Sequence, residues 1–253
     1  METRRKYYGP VNNSAKTMQK LLDSVREVII NSGYNGLNVK NVIGVSGINK
    51  YQLYYHFGDM NNLVETYIRD KDYWVGFKQQ VNELIKQHGE NHGRALAESI
   101  LLNLLDYFYD NKEMQQIILW QLAERNPILF RIGEERERLG EQLFRMTDPY
   151  FTGTDVDIRA ITALLIAGIY HLVLHGQHND SLFCGVDIHT NQGMERIKKA
   201  IRQIVSCAYG TARSQMASPE KKPDWESHAG SAEPVPFCSP TPFKPLSPVD
   251  RAG

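Results

Sequence analysis

Cysteine is scarce in this chain, and its three cysteines, Cys184, Cys207 and Cys238, are widely separated. An odd number without close spacing supports neither a disulfide framework nor a zinc motif, and it favours the reducing cytoplasm. Residues 1–13 lack the apolar segment of a cleavable signal peptide. The most apolar stretch, Ala160 to Leu174, is shorter than the roughly 20 residues that span a bilayer. We therefore expect a cytoplasmic protein without membrane contact, in which this stretch is a buried helix.

Catalytic motifs are also missing from the sequence. It contains no phosphate-binding glycine loop, no nucleophile elbow and no His-Glu-x-x-His zinc helix. We therefore expect that the protein is not an enzyme, and we assign it no catalytic residue, no cofactor and no metal site.

The chain has no net charge, but its charges are unevenly distributed. Residues 1–62 contain eight Lys and Arg against four Asp and Glu, whereas residues 63–216 contain seventeen against twenty. A basic N-terminal part is the distribution expected if nucleic acid binds there. A surplus of four charges is modest, so it supports this interpretation only together with a motif.

Strand-like alternation is absent, and apolar residues recur at helical spacing along most of the chain. The pattern predicts an all-α protein of about nine helices, the first from 14 to 32. Beyond the segment 38–57, helices are expected at about 60–88, 93–110, 112–124, 127–146, 155–177 and 191–213. An Asn-Pro at 126, an Asp-Pro at 148 and a loop from 176 to 190 separate the last four. Residues 217–253 hold eight of the eleven prolines, which predicts a disordered tail.

The segment that begins at Asn38 carries the most specific pattern in the chain. Asn38 is a typical helix cap, which predicts a helix from Val39 to Ser46. Gly47 is expected to adopt the left-handed conformation that turns the chain, and Ile48 to pack between the two helices that it joins. The side chains expected to point inward from the first of these helices are Val42, Ile43 and Val45.

A second short helix is predicted from Lys50 to His56, with Asn49 as its cap. Leu53 and Phe57 are expected to face the core. The polar and aromatic side chains left on the outside are Lys50, Tyr51, Gln52, Tyr55 and His56. An exposed short helix with amide, hydroxyl, imidazole and ammonium groups suits base edges and phosphates in a DNA groove.

The region from about Lys16 to Leu63 resembles the DNA-binding domain of the tetracycline-repressor (TetR) family of transcriptional regulators. The residues that carry the resemblance are Gly33, Tyr34, Asn38, the run from Leu53 to Phe57, Asp59 and Leu63. The chain departs from the family pattern at Tyr51, where a small residue is usual, and at Met60, where a lysine is usual. The first departure implies an unusual base or sugar contact, and the second removes an expected phosphate contact.

The resemblance implies a three-helix helix-turn-helix head on a larger helical body that binds a ligand and dimerises. We assign residues 1–13 to a basic arm, 14–62 to the head, 63–216 to the body and 217–253 to the tail. The family resemblance implies a homodimeric repressor that a small-molecule effector releases from a palindromic operator in double-stranded DNA. In this hypothesis the ligand tilts the long helix that begins at Met60.

Specific residues follow from this interpretation. The DNA-binding residues are expected to be Asn38, Lys40, Asn49, Lys50, Tyr51, Gln52, Tyr54, Tyr55 and His56. The resemblance places an effector pocket among the aromatic residues of the body, for which we name Phe77, Tyr107, Trp120 and His171. Gln121 and Glu124, beside Trp120, are candidates to orient the ligand or to face water.

The last two helices are expected to form an intersubunit four-helix bundle, as they do in the family. The penultimate helix carries small residues on roughly one face, namely Ala160, Ala163, Ala167 and Gly168. The last helix offers Ile197, Ala200, Ile201, Ile204, Val205 and Ala208. Surfaces of this kind are too apolar for a free monomer.

Two alternatives remain open from the sequence. The body could bind a protein partner through the charged helix around Glu134 to Arg145. It could instead bind a metal ion, because His171 and His175 lie four apart on a helix, with His178 expected just beyond its end. Cys184, Asp187 and His189 would complete that ligand set. Against the metal site, the first two histidines also suit a pocket wall or a subunit interface.

Overall fold

The fold is all-helical, which confirms the predicted class. The computed structural model describes residues 11–76, 91–179 and 181–217, and contains no β-strand within them. The helices are α1 (Val11–Ser32), α2 (Val39–Ser46), α3 (Lys50–Phe57), α4 (Met60–Lys71), α5 (Arg94–Asp110), α6 (Lys112–Ala123), α7 (Pro127–Phe151), α8 (Ile158–Asn179) and α9 (Asn191–Ala217). Short 3-10 turns lie at Tyr34–Gly36 and Asn91–Gly93. The predicted basic arm and proline-rich tail lie outside the described residues, apart from the ends of α1 and α9.

Side-chain caps determine where α2, α3 and α4 begin. Asn38, Asn49 and Asp59 each accept a hydrogen bond from the backbone N–H three residues on, at 2.7 to 2.9 Å. Such caps are each worth about 1 kcal/mol. Gly47 ends α2 with φ of 66°, in the left-handed region that glycine adopts without a steric penalty. The predicted caps and the glycine turn are therefore confirmed.

The N-terminal helices share one apolar core with the beginning of the body. Its largest fully buried side chains include Leu21, Ile29, Leu53, Leu63, Tyr67 and Ile68. Ile117 and Trp120 of α6 and three residues near the start of α7 belong to the same cluster. The core that supports α3 thus extends past α4 into the body helices.

Val45 does not point inward, as the sequence pattern had predicted. Val42 is fully buried, whereas Val45 is 42% exposed. Helix α2 is only two turns long and packs mainly on α1. Helix α1 covers only the narrow face of α2 that is centred on Val42. Val45 lies outside that face.

A second apolar core is enclosed by α5 to α9. Its buried residues include Leu101, Leu104, Phe108, Met114, Val173 and Val205. Five of the predicted body helices are confirmed in this region, although their ends differ by a few residues. This core surrounds the cavity described below.

The long helix predicted from Met60 to about 88 is interrupted. Helix α4 ends at Lys71, and Asp72 has an extended backbone with φ of −75° and ψ of 120°. The Asp72 carboxylate accepts hydrogen bonds from the backbone N–H groups of Trp74 and Val75, at 3.0 and 3.1 Å. An aspartate in this position starts a new helical turn, so the apolar periodicity continues across a break in the helix. Residues 77–90 lie outside the described part of the chain.

Two predicted helix ends are wrong. Pro149 lies inside α7, which continues to Phe151. A proline is tolerated there because only the last turn loses a backbone hydrogen bond, and the N–H of Thr152 closes that turn on the carbonyl of Asp148. His178 belongs to α8, which reaches Asn179, and does not lie in the following loop.

Helix α8 is far less buried than the sequence had suggested. It is the one helix in the described segments that is long and apolar enough, by length and composition alone, to cross a membrane. Only 22% of its most apolar window is buried inside the chain. Its outer face carries Leu164 and small residues that the rest of the chain leaves uncovered. The prediction of a buried helix is therefore wrong for this face.

Candidate nucleic-acid interface and cavity

Helix α3 has three distinct sides because its residues repeat every three to four positions. Leu53 and Phe57 are buried and attach the helix to the N-terminal core. Gln52 and His56 form a half-buried edge, which is less exposed than the sequence pattern suggested. The exposed side carries Lys50, Tyr51, Tyr54 and Tyr55.

Aromatic contacts hold this exposed side in place. Tyr51 and Tyr55 are 75% and 72% exposed and stack with their ring centroids 6.2 Å apart. Tyr55 also makes an edge contact with His56 at 5.0 Å, and the Lys50 ammonium lies 5.5 Å from the Tyr54 ring centroid. Large apolar rings are rarely left exposed in a cluster without a binding role. The cluster presents hydroxyl, ammonium and ring groups together on one surface.

Two predicted DNA-binding residues have structural tasks. The side-chain oxygens of Asn38 and Asn49 are occupied as helix caps, and the amide of Asn38 donates to the carbonyl of Gly36 at 3.2 Å. Lys40, near the start of α2, is exposed. The asparagines therefore orient the helix ends, and a DNA contact from either one remains a prediction.

A cavity of about 580 Å³ lies among α5, α6, α7 and α8. Its wall is mainly apolar and includes Leu96, Ile100, Leu101, Ile118, Phe144 and Ile166. This volume is within the range of small-molecule sites, which are concave and mostly apolar with a few polar groups.

The polar part of the cavity wall is held by a buried ion pair. Arg136 of α7 donates through Nε to Oδ2 of Asp72 at 2.9 Å, and its Nη2 pairs with the same oxygen. The two side chains are 12% and 0% exposed. Arg136 also donates through Nη1 to the Oε1 of Gln121 on α6 at 2.6 Å. The residue that ends α4 is thereby connected directly to the cavity wall.

Aromatic residues form a neighbouring part of the wall. The indole N–H of Trp74 donates to the hydroxyl oxygen of Tyr170 at 3.0 Å. Burial raises the pKa of the Tyr170 hydroxyl, which keeps it neutral at physiological pH. Both residues line the cavity.

Three of the four residues named from the sequence as effector contacts do not line this cavity. Tyr107 donates its hydroxyl to the carbonyl of Lys71 at 2.8 Å, and burial raises its pKa to about 12. Trp120 packs in the N-terminal core, and His171 is exposed on α8. None of these three is among the described residues that line the cavity. Phe77 lies outside the described residues.

Sequence reasoning found part of the cavity wall and missed the rest. Gln121 was named as a ligand-orienting candidate, and it does line the cavity. No sequence signal separates Trp74 and Tyr170 from the other aromatic residues of the body. Arg136 belonged to the charged helix that was considered as a partner surface, but its charge is turned inward. No local signal distinguishes it from its exposed neighbours in α7.

The histidines of α8 do not form a metal site within the described residues. The rings of His171 and His175 lie 5.9 Å apart, and both make edge contacts with Phe183 near 5 Å. Nδ1 of His175 is buried without a hydrogen-bond partner. No group of three or more His, Cys, Asp or Glu side chains in the described part of the chain is arranged to hold a metal ion. Two of the histidines therefore pack on a phenylalanine.

Helices α8 and α9 carry a shallow apolar groove on the outside of the chain, which we call the α8–α9 face. It includes Ala160, Leu164, Ala200, Ile204 and Cys207. Leu164 is 75% exposed. The predicted dimer residues lie in several environments. Ile201 and Val205 are buried within the chain, Ala163 and Ala167 line the cavity, and Ala160, Ala200 and Ile204 remain on this face. Ala208 is buried and also borders this face, whereas Gly168 and Ile197 are half-buried.

Comparison of the chain with protein-family models and with curated proteins produced no match. What the protein does must therefore be inferred from the exposed side of α3, from the cavity and from the α8–α9 face.

Proposed function

We propose that the protein is a sequence-specific DNA-binding transcriptional regulator of the TetR type, which acts as a homodimeric repressor that a small molecule releases from its operator. The observation that carries the proposal is the exposed side of α3. A capped two-turn helix follows a glycine turn, is anchored by Leu53 and Phe57, and presents Lys50, Tyr51 and Tyr55 outward. Such a helix suits the major groove, where side chains at its start reach base edges.

The α8–α9 face supports the homodimer. It exposes Leu164 and Ile204 beside small residues that allow another helix to approach closely. In a twofold dimer the same patch of each subunit meets its copy. Two α3 helices on one side of the DNA would then read half-sites about 34 Å apart, so the operator should be a near-palindrome.

The cavity supports control by a small molecule. Asp72 ends α4, which packs in the core that anchors α3, and Asp72 is paired with Arg136 in the cavity wall. A ligand that moves Arg136 would disturb its ion pair with Asp72. It would thereby change the free energy of the position that α4 takes in the core beneath α3. A coupling free energy of about 1 to 3 kcal/mol would change operator affinity roughly 5- to 150-fold. In this proposal the signal passes through the Asp72–Arg136 ion pair. It does not require the tilt of one continuous long helix that the sequence had suggested.

Selection of bound fragments from random DNA duplexes tests the proposal. We expect enrichment of a near-palindromic sequence whose retention falls steeply as the salt concentration rises. Lys50→Ala should weaken retention, whereas Lys199→Ala, which removes an exposed lysine of α9, should not. If no duplex is selectively retained, or if both substitutions weaken retention equally, the proposal is wrong.

A further inference from the structure

We propose that the cavity selects an uncharged, mainly apolar ligand that carries a hydrogen-bond acceptor such as a ketone or amide carbonyl. The inference rests on the proposed function, because it names the ligand class of the same effector site. It follows from the charges, the hydrogen-bond donors and the rings on the cavity wall.

Among the wall residues that the structure describes, no cation is free to bind an anion. The Arg136 guanidinium is neutralised by the buried carboxylate of Asp72. Arg159, the other arginine among the described wall residues, pairs with Glu141 at 2.5 Å and with Asp148 at 2.7 Å. An anionic ligand would have to share a guanidinium with a carboxylate already bound to it, and like charges at such short distances repel.

A cationic ligand is disfavoured for the complementary reason. Glu137 lines the cavity and makes no ion pair among the described residues, but it is exposed. Water therefore solvates its charge and weakens any attraction. The Arg136 guanidinium, which is largely buried, presents only N–H donors and therefore offers a cation no acceptor.

Hydrogen-bond donors remain available beside the ion pair. The contacts of Arg136 with Asp72 and Gln121 use three N–H groups, fewer than a guanidinium has. Because Arg136 can only donate, Gln121 must turn its oxygen towards Arg136, and its NH₂ group is left to donate elsewhere. The polar groups beside the buried ion pair therefore offer donors, which require an acceptor on the ligand.

The remainder of the wall accommodates an apolar body. Trp74, Phe144 and Tyr170 contribute aromatic rings, and aliphatic side chains of α5 and α6 surround them. Rings and aliphatic groups gain free energy by burying apolar ligand surface, at roughly 25 cal/mol per Å². A ligand with one carbonyl on a fused-ring or aliphatic body would accept a hydrogen bond from the donors and bury its apolar surface against the rest of the wall.

A matched pair of fluorescent probes tests the inference. Prodan is a neutral naphthalene ketone whose emission moves to longer wavelength when its carbonyl accepts a hydrogen bond. Its carboxylate analogue has the same ring system and a negative charge. We expect prodan to bind the protein saturably and roughly tenfold or more tightly than the carboxylate. Equal or tighter binding of the carboxylate would overturn the inference.

Substitutions on α6 test the role of the donors. Gln121→Leu should weaken prodan binding roughly 3- to 10-fold, the effect of one neutral hydrogen bond, and should shift the bound emission to shorter wavelength. Gln116→Leu, on the same helix but not on the described cavity wall, should leave both quantities unchanged. Prodan binding to Gln121→Leu that matches the unsubstituted protein in affinity and emission would also overturn the inference. Gln121 is chosen because replacing Arg136 would leave Asp72 buried without its partner.

These measurements use the full chain without DNA, so they separate the two proposals. Selective prodan binding by a protein that retains no duplex would refute only the DNA-binding function. Retention of an operator together with preferred binding of the carboxylate would refute only the ligand class.

Discussion

The ring of Tyr34 stacks on the ring of Trp120 with a centroid distance of 5.5 Å and only 4° between the ring planes. Tyr34 lies in the turn that follows α1, and Trp120 lies on α6. The other side of α6 carries Ile118 and Gln121, which line the cavity. One helix thus separates the cavity from the core that supports α3, with a different set of side chains on each side.

Replacement of Trp120 should weaken the N-terminal core without altering the cavity. Trp120→Ala removes a side chain that is 6% exposed and loses the stacking on Tyr34, so we expect a loss of about 3 to 5 kcal/mol in the free energy of unfolding. Urea denaturation followed by circular dichroism measures this loss. Prodan affinity, measured under native conditions, should change little.

The exposed neighbour Leu122 provides the matched control. It is 74% exposed and lies on the cavity wall. Leu122→Ala should therefore leave stability nearly unchanged and alter prodan affinity. If the two substitutions had the reverse effects, α6 would not separate two environments.

Breaking the buried ion pair should be costly because one charge is left without its partner. We expect Asp72→Asn to lower the free energy of unfolding by about 3 to 5 kcal/mol. The double substitution Asp72→Asn with Arg136→Gln should recover part of this loss, since neither buried charge remains. Denaturation of the two single variants and the double variant measures the coupling energy.

Asp70 is the control for Asp72, because it lies two residues earlier and is largely exposed. Asp70→Asn should change the free energy of unfolding by less than about 0.5 kcal/mol. If Asp70→Asn and Asp72→Asn lowered the free energy of unfolding equally, the buried ion pair would contribute no more to stability than an exposed aspartate does.

Two residues of α3 should affect DNA binding differently. Tyr51 projects from the exposed side, whereas His56 lies on the half-buried edge. We expect Tyr51→Ala to alter the preferred operator sequence and His56→Ala to weaken all sites about equally, as loss of a phosphate contact does. Selection from random duplexes with each variant measures the change. An identical effect from both would remove this division between base and phosphate contacts.

The ion pairs of Glu65 should make stability depend on acidic pH. Hydrogen bonds from Arg131 and Arg69 lower the pKa of the Glu65 carboxyl below its ordinary value of 4.5. Because folding favours the charged form, this stabilisation is fully present above 4.5 and is lost as the pH falls through the lowered folded value. Glu65→Gln should therefore reduce stability by about 1 kcal/mol at pH 7, and the difference should vanish in strong acid.

Glu27 on α1 is exposed and makes no ion pair within the described residues, so Glu27→Gln serves as the reference. Urea denaturation from neutral to acidic pH measures the free energy of unfolding of the unsubstituted protein, of Glu65→Gln and of Glu27→Gln. A Glu65→Gln deficit that persisted below the lowered pKa would exclude the ion pairs as its cause.

A charge on the α8–α9 face should separate the subunits of the proposed dimer. Leu164→Glu places a carboxylate in an apolar interface, so we expect a monomer in sedimentation and weaker operator retention. Leu182 in the loop before α9 is also exposed, at 61%, but is not among the residues of this face. Leu182→Glu should leave the oligomeric state unchanged, and a Leu164→Glu variant that sediments like the unsubstituted protein would place the interface elsewhere.

Local patterns in the sequence determined the all-helical class, the caps at Asn38, Asn49 and Asp59, the turn at Gly47 and the buried side of α3. These features depend on interactions within about one helical turn, so the order of residues is sufficient to predict them. The break at Asp72 was missed because the apolar period continues through it, while the carboxylate forms its own cap on the next turn.

Only the tertiary structure decided which residues line the cavity and which ones hold the N-terminal core. Asp72 and Arg136 are 64 positions apart, and no periodic pattern indicates that two distant charges will be buried together. Trp120 was named from the sequence as an effector contact, and only the tertiary structure showed that its ring packs on Tyr34. The direction in which a buried side chain points depends on the helices packed around it. The residues within one helical turn do not determine that packing.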